Sequence, residues 1–338
     1  MRSEQHSESW KKMVLRSMPA PAWLALDAPD GDIVVSSRVR YARNVCGYRF
    51  PHWASPDDLR AVQNLVRSGL SGLKLEAINH LTEAERDFLL GCRLISPDFA
   101  HRDPGRSLIL DKSRTLSVMI NEEDHVRIQA LTPGWSIKSA QKSAESVLSL
   151  LSSRVPLMQS EQYGFLTASP YNAGEARRRS ALFHLIGLGH TKRLPAVLQA
   201  LAAWRLTARG LFGESSRAVG AFFQVSAISG GLPEFIGACD YLAHEERMAR
   251  REVTRATLQE RTRAAIDFAI GASELSLADA LRVLAWVRWA ATAGVVSLEK
   301  GYRDVDQWVS TMEVHCTQDP KTASRHRAVF VRNRVEAL

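Results

Sequence analysis

The stretch SVMINEEDHVRIQAL, residues 117–131, sets three consecutive acids (Glu122, Glu123 and Asp124) beside His125 and Arg127 inside an apolar run. The apolar residues on either side alternate or run together, as strand residues do. Carboxylates held beside buried residues are expected to meet something positive. A second set with chemical potential is basic. Arg38 and Arg40 alternate in VVSSRVRYARN, Arg127 follows the acids, Arg178 lies in SPYNAGEARRRS, and Arg209 opens RGLFGESSRAVGAFFQVS. Planar guanidinium forks arriving from separate strands can grip a polyphosphate. For any one of these arginines taken alone, a surface salt bridge is the simpler explanation. The usual glycine cradles are missing: there is no GxxxxGK[ST] loop, and GLGHTKR lacks the third glycine of a dinucleotide fingerprint. HExxH, GxSxG and HRD/DFG patterns do not occur either.

The elements that must position these residues follow from periodicity. Residues 33–45 read as a strand from which basic side chains emerge at alternate positions. Residues 56–73 and 81–95 have helical spacing, each opened by a Pro, Asp or Thr of capping type. Residues 107–131 read as two antiparallel strands joined at DKSR, and 136–152 as a helix. From Tyr163 the chain begins as a strand, breaks at Pro170 to Gly174, and resumes. A helix over 194–206 precedes two strands around a glycine-bounded loop, and almost everything beyond about residue 230 is helical and rich in charge. The first thirty residues read as a short helix and a loop. The expected fold is α+β: a largely antiparallel sheet flanked by helices, with an N-terminal extension over 1–30, a body over 31–255 and a helical C-terminal domain over 256–338.

Composition bounds the function classes. With 338 residues, 45% apolar and 24% charged, the chain reads as a soluble globular protein. No run of about 18 apolar residues is present, so no membrane helix is expected. The N-terminus lacks an apolar signal core, so secretion is not expected. Cys46, Cys92, Cys239 and Cys316 are far apart with no CxxC spacing, which reads as reduced thiols in a cytoplasmic protein. The net charge of +8, carried by Arg far more than Lys, suits nucleic acid, phosphate-bearing small molecules or an acidic protein. Arg enrichment favours bidentate recognition of phosphate or carboxylate. Little aromatic interleaving counts against nucleic acid.

Taken in order, VVSSRVRYARN, MINEEDHVRIQAL and RGLFGESSRAVGAFFQVS resemble the guanidino (phosphagen) kinase superfamily over residues 30 to 230. Further details are similar to its bacterial protein arginine kinase branch: the early position of SSRVRYARN, LISP at 94–97, HVRIQ at 125–129, the spacing from Arg178 to His184, and the helical C-terminal region. The early strand also implies that the separate N-terminal helical domain of the metabolite kinases is absent. The resemblance implies ATP held by Arg38, Arg40, Arg127, Arg178 and Arg209. Their neighbours Ser36, Ser37, Val39, Arg179, Ser180, Ala181, Leu182, Gly210, Leu211, Phe212, Gly213 and Glu214 would complete that site. Magnesium would bridge the phosphate oxygens, with no metal site on the protein itself. A guanidinium is a poor nucleophile because it is protonated and delocalised. The resemblance implies Glu123 as the base that accepts its proton. Glu214 would be the second substrate-facing carboxylate, Glu122 a supporting group, and Asp124 and His125 groups that orient the strand. Ser169 and Asn172 would belong to the substrate loop. Implied partners are arginine-bearing protein substrates, a zinc-binding activator adaptor, a Clp-type protease and a second copy of the chain. No membrane or nucleic-acid partner is implied.

The sequence also departs from the family pattern. Ser169 stands where relatives carry a Cys bordering the guanidinium, and Tyr171 and Glu175 stand where Thr is usual. Arg177 and Arg179 crowd Arg178, Arg93 precedes LISP where the bacterial kinases tend to have His near the adenine, and Arg217 takes the place of a Glu. The phosphoarginine-binding RDxxRA motif is matched only by ASRHRA, where Ala323 and Ser324 replace Arg–Asp and Arg327 remains. Three functions therefore stay open. The first is an ATP-dependent protein arginine kinase, and the second a kinase for a small guanidino compound. The third is a catalytically weak regulator that binds nucleotide or arginine-bearing protein.

Overall fold

The computed structural model describes residues 20–25, 27–73, 75–78, 80–101, 105–211, 219–227, 230–316 and 319–338. In chain order the elements are β1 (Val34–Arg43), α1 (Pro56–Gly69), β2 (Leu75–Ile78), α2 (Glu83–Gly91), a short α3 (Pro97–Ala100), β3 (Ser107–Asp111), β4 (Leu116–Ile120) and β5 (Val126–Pro133). After these come α4 (Ile137–Ser152), β6 (Gln159–Ser160), β7 (Gly164–Phe165), β8 (Arg177–His184), α5 (Ile186–His190), α6 (Leu194–Ala203), β9 (Thr207–Gly210) and β10 (Phe222–Ala227). The chain ends with α7 (Leu232–Glu252), α8 (Arg255–Gly271), α9 (Leu277–Thr292), α10 (Tyr302–Thr311) and α11 (Pro320–Val335). The starts of α1 and α2 are written locally. Ser55 with Asp58, and Thr82 with Glu85, each form a reciprocal capping box.

Eight strands form one antiparallel sheet in the order β2-β3-β4-β5-β1-β8-β10-β9. The period of two along each strand divides the apolar residues between two cores. Val39, Tyr41, Ile128, Ala130, Ala181, Phe183 and Val225 face α4 and α7. Val35, Leu108, Leu110, Met119, Leu131, Leu182 and Phe222 share the other core with α2 and with Leu258, Ile266, Leu281, Leu284, Val287 and Val331 of the C-terminal helices.

One expectation changes here. The single strand read through residues 115–131 is two strands, because Asn121 takes a left-handed φ of 59°. The chain reverses there: Asn121 N donates to His125 O at 3.0 Å and Glu122 N to Asp124 O at 3.1 Å. The acids thus sit on a tight turn at the end of a hairpin. The C-terminal helices pack against the sheet and share one of its cores. The junction is polar as well as apolar. Arg288 of α9 is fully buried, donates from Nε to Asp306 Oδ1 at 2.7 Å, and reaches Gly31 O just before β1 at 2.7 Å. Among the described residues no helix is long and apolar enough to cross a membrane.

Candidate active site

Strand alternation builds the site. On β1, Ser36, Arg38 and Arg40 share a face, and the antiparallel registers extend that face sideways. Arg40 lies between Gln129 of β5 and Arg178 of β8. Arg38 lies beside Ser180, whose row continues to Ser226 of β10. Gln224 of β10 faces Arg209 on the edge strand β9. Arg127 stands opposite Ala42. Arg38, Arg40, Arg127, Arg178 and Arg209, from five separate strand positions, thus line one cleft of about 570 Å3 together with Glu123, Asn172, Gly210 and Leu211.

Among the described residues, most of this positive charge is without an ion pair. Arg38 is buried, and among the described residues it hydrogen-bonds neutral groups, Nη2 donating to Gln224 Oε1 at 2.7 Å and Nε to the Ser180 hydroxyl at 3.3 Å. The guanidinium groups of Arg40 and Arg209 have no ion pair among the described residues, and the buried Arg178 Nε has no hydrogen-bond partner. Burial, then the neighbouring Arg127 and Arg178, pushes Arg40 down to about 9. Burial, then Arg40 and Arg93, holds Arg38 well below its ordinary value. Burial, then Arg209 and Arg127, lowers Arg178. Desolvated like charges at this spacing are unfavourable without an anion between them. An incoming polyphosphate would relieve that repulsion and find its donors already aimed.

The acids occupy one end of the cleft. Arg127 reaches Glu122 with Nη1 at 2.6 Å and Glu123 with Nη2 at 3.0 Å. The Glu122 side chain is fully buried and also accepts from the Ser96 hydroxyl, whereas the Glu123 side chain is 34% exposed and open to the cleft. Asp124 Oδ1 accepts from Asn44 Nδ2 at 2.7 Å and from Ala168 N at 2.7 Å. His125 Nδ1 accepts from Val45 N at 3.1 Å while its Nε2 faces Arg49 O at 2.9 Å, which sets the neutral tautomer, and burial lowers its pKa. Asp124 and His125 therefore pin the acidic turn to the end of β1.

Several expected contacts do not form. Ser37 turns to the opposite face, where its hydroxyl donates to Gly134 O at 2.8 Å, and Val39 and Ala181 pack in the core beneath α4. Arg179 also leaves the cleft, donating to Gln141 Oε1 at 3.1 Å and Gly230 O at 3.0 Å. The cause is the same in each case: adjacent strand residues point to opposite faces. Leu182 is on the cleft side but sits in the apolar core. Ser169 heads the turn that presents Asn172, yet only Asn172 lines the cleft. Phe212, Gly213, Glu214 and Arg217, together with the helix expected near the N-terminus, lie outside the described residues. Asn44, Ser96, Gln129 and Gln224 were not singled out from sequence. Alternation of Gln129 with Arg127 along β5 was the available signal for that glutamine; Gln224 lies on β10, which carries none of the cleft arginines.

Residues 59–236 match the family described as ATP:guanido phosphotransferase, C-terminal catalytic domain, a little over half of the chain. The chain belongs to this family. The match begins after β1, and the sheet register sets Arg38 and Arg40 of β1 beside the matched strands β5 and β8. Among curated relatives, a protein-arginine kinase of Desulforamulus reducens is 36% identical over 260 residues, covering 72% of this chain and 73% of its own. Another protein-arginine kinase, from Pelotomaculum thermopropionicum, is 33% identical over 294 residues, covering 81% and 83%. Among solved structures, the duplicated taurocyamine kinase from Schistosoma mansoni with bound transition-state analogue components superposes with a TM-score of 0.52 at 26% identity. That superposition covers 62% of this chain and 32% of the larger one.

Proposed function

We propose that this guanido phosphotransferase moves the γ-phosphoryl group of ATP onto arginine side chains of proteins. The observation that carries the reading is the convergence of five arginines on one cleft, with Glu123 open at its end. Relatives named as protein-arginine kinases support the acceptor class. In this reading Arg38, Arg40, Arg178 and Arg209 hold the triphosphate, and Arg127 bridges the phosphate end to the acids. The acceptor guanidinium enters beside Glu123, which takes its proton as nitrogen attacks phosphorus. Glu122, buried and bonded to Ser96, keeps Arg127 in place. Magnesium would ride on the phosphate oxygens and neutralise part of their charge. Arginine-bearing proteins are the substrates. The adaptor, the protease and self-association belong to the same reading through resemblance.

The test is incubation of the full chain with ATP, magnesium and an arginine-rich protein, followed by mass spectrometry under non-acidic conditions. Phosphoarginine on the protein is expected. Label on free arginine alone would point instead to a small guanidino acceptor. ATP binding without transfer to either would favour a regulator, a reading motivated by the neutral Ser169 at the turn that presents Asn172.

A further inference from the structure

A second hollow, of about 610 Å3, lies behind the acidic turn and outside the arginine cleft. Its walls come from the start of α1, the chain just past β2, the entry to β3 and the turn itself, and they carry His52, Arg60, His80 and Arg106. Among the described residues the one acid in this lining is Glu122, whose buried side chain is engaged by Arg127 and Ser96. Asp57 and Asp58 do not line it. Asp58 accepts from Ser55 N at 3.4 Å at the head of α1, and Asp57 pairs with Arg60 on the surface. An exposed pair of that kind is weak and exchanges readily for another carboxylate. Arg106 is fixed against the back of the turn, Nε donating to Asn121 O at 3.2 Å and Nη1 to His101 O at 3.2 Å.

The hollow adjoins the acceptor end of the cleft. Asn121 and Glu122 line the hollow, while the next residue, Glu123, lines the cleft. On the function proposed above, the acceptor guanidinium enters beside Glu123. An extended polypeptide advances about 3.3 Å per residue, so positions two or three residues from the acceptor arginine lie about 7 to 10 Å away along the chain. That distance carries them over the turn and onto the hollow. Its volume is in the range of pockets that enclose side chains or small ligands.

We infer that this hollow is a subsite for the acceptor protein and takes Asp or Glu side chains that flank the arginine to be phosphorylated. Two guanidinium groups offer donor forks and two imidazoles offer N–H donors, a set that carboxylates satisfy. Lysine or arginine at the same flanking positions would meet charge of its own sign. The chain's net charge of +8 favours an acidic acceptor in the same sense. This inference rests on the proposed function and narrows its substrate class to arginines set in acidic stretches.

The test uses an unstructured acceptor protein with a single arginine, made in three forms with Glu, Ala or Lys at the second and third positions on either side. Steady-state transfer by the full chain is measured at saturating ATP and magnesium. The Glu form is expected to exceed the Ala form by about fivefold in kcat/KM, through KM, and the Lys form to fall below both. The double variant Arg60→Ala with His80→Ala changes two exposed side chains, and thermal unfolding verifies its fold. In that variant the ratio of Glu to Ala forms is expected to drop below about twofold. Equal kcat/KM for the three forms, or a Glu preference unmoved in the double variant, would overturn the subsite while leaving the proposed function standing. Transfer to none of the three would remove both.

Discussion

Glu122 and Glu123 are neighbours in sequence with different surroundings. The Glu122 side chain is wholly buried between Arg127 and Ser96, whereas that of Glu123 is one-third exposed and shares only one arm of Arg127. In the proposed reaction the base must reach an incoming guanidinium, and of these two Glu123 is the one open to the cleft. Glu123→Gln keeps a hydrogen-bond acceptor for Arg127, so the fold should hold. Phosphoryl transfer is expected to fall by about 10²- to 10⁴-fold, the usual range for a lost general base. Single-turnover assays with ATP binding measured in parallel check this; unchanged turnover would remove Glu123 from the mechanism. At this scale much was legible in advance, because the residue types and their order carried the family resemblance. The distinction between Arg178 and Arg179 follows from strand alternation once the register is known. Arg178 lies across from Arg40 on the cleft face, and Arg179 bonds Gln141 behind the sheet.

At the scale of elements, the end of β8 meets two helices, α7 and α9. His184 is fully buried, stacked on Phe222, with Arg250 and Arg288 beside its Nδ1. Burial, then these two arginines, holds its pKa well below 6.5. The unfolded chain therefore binds a proton that the folded chain refuses, and stability is expected to fall as pH drops below about 6.5. Glu246, raised by burial above 4.5, contributes the opposite slope at lower pH, so the His184 share needs a variant. His184→Phe should flatten the difference in unfolding free energy between pH 7.5 and pH 5.5, measured in urea. An equal loss in both proteins would assign the acid sensitivity elsewhere. Most helices and the strands that carry the arginines were readable from periodicity and caps. The acidic turn was not, because the left-handed Asn121 lies within a run whose residue types suit a continuous strand.

For the whole molecule, the C-terminal helices lock onto the sheet through buried charge. Asp306 accepts from Arg288 and Arg303, and all three side chains are essentially inaccessible. Removing one partner leaves a desolvated charge, and breaking such a pair costs about 3–5 kcal/mol. Asp306→Ala is therefore expected to destabilise the protein by about that amount in urea unfolding, whereas a surface pair such as Arg282 with Asp279 should contribute under about 1 kcal/mol. The sequence alone determined the order of the motifs, the alternation of Arg38 with Arg40, the family, and the helical character of the C-terminal region. These are properties of residue type at short spacing. The tertiary structure decided which arginines share a cleft, and that the last helices share one of the sheet's cores. Those depend on registers and contacts between residues more than fifty positions apart, which no local period encodes.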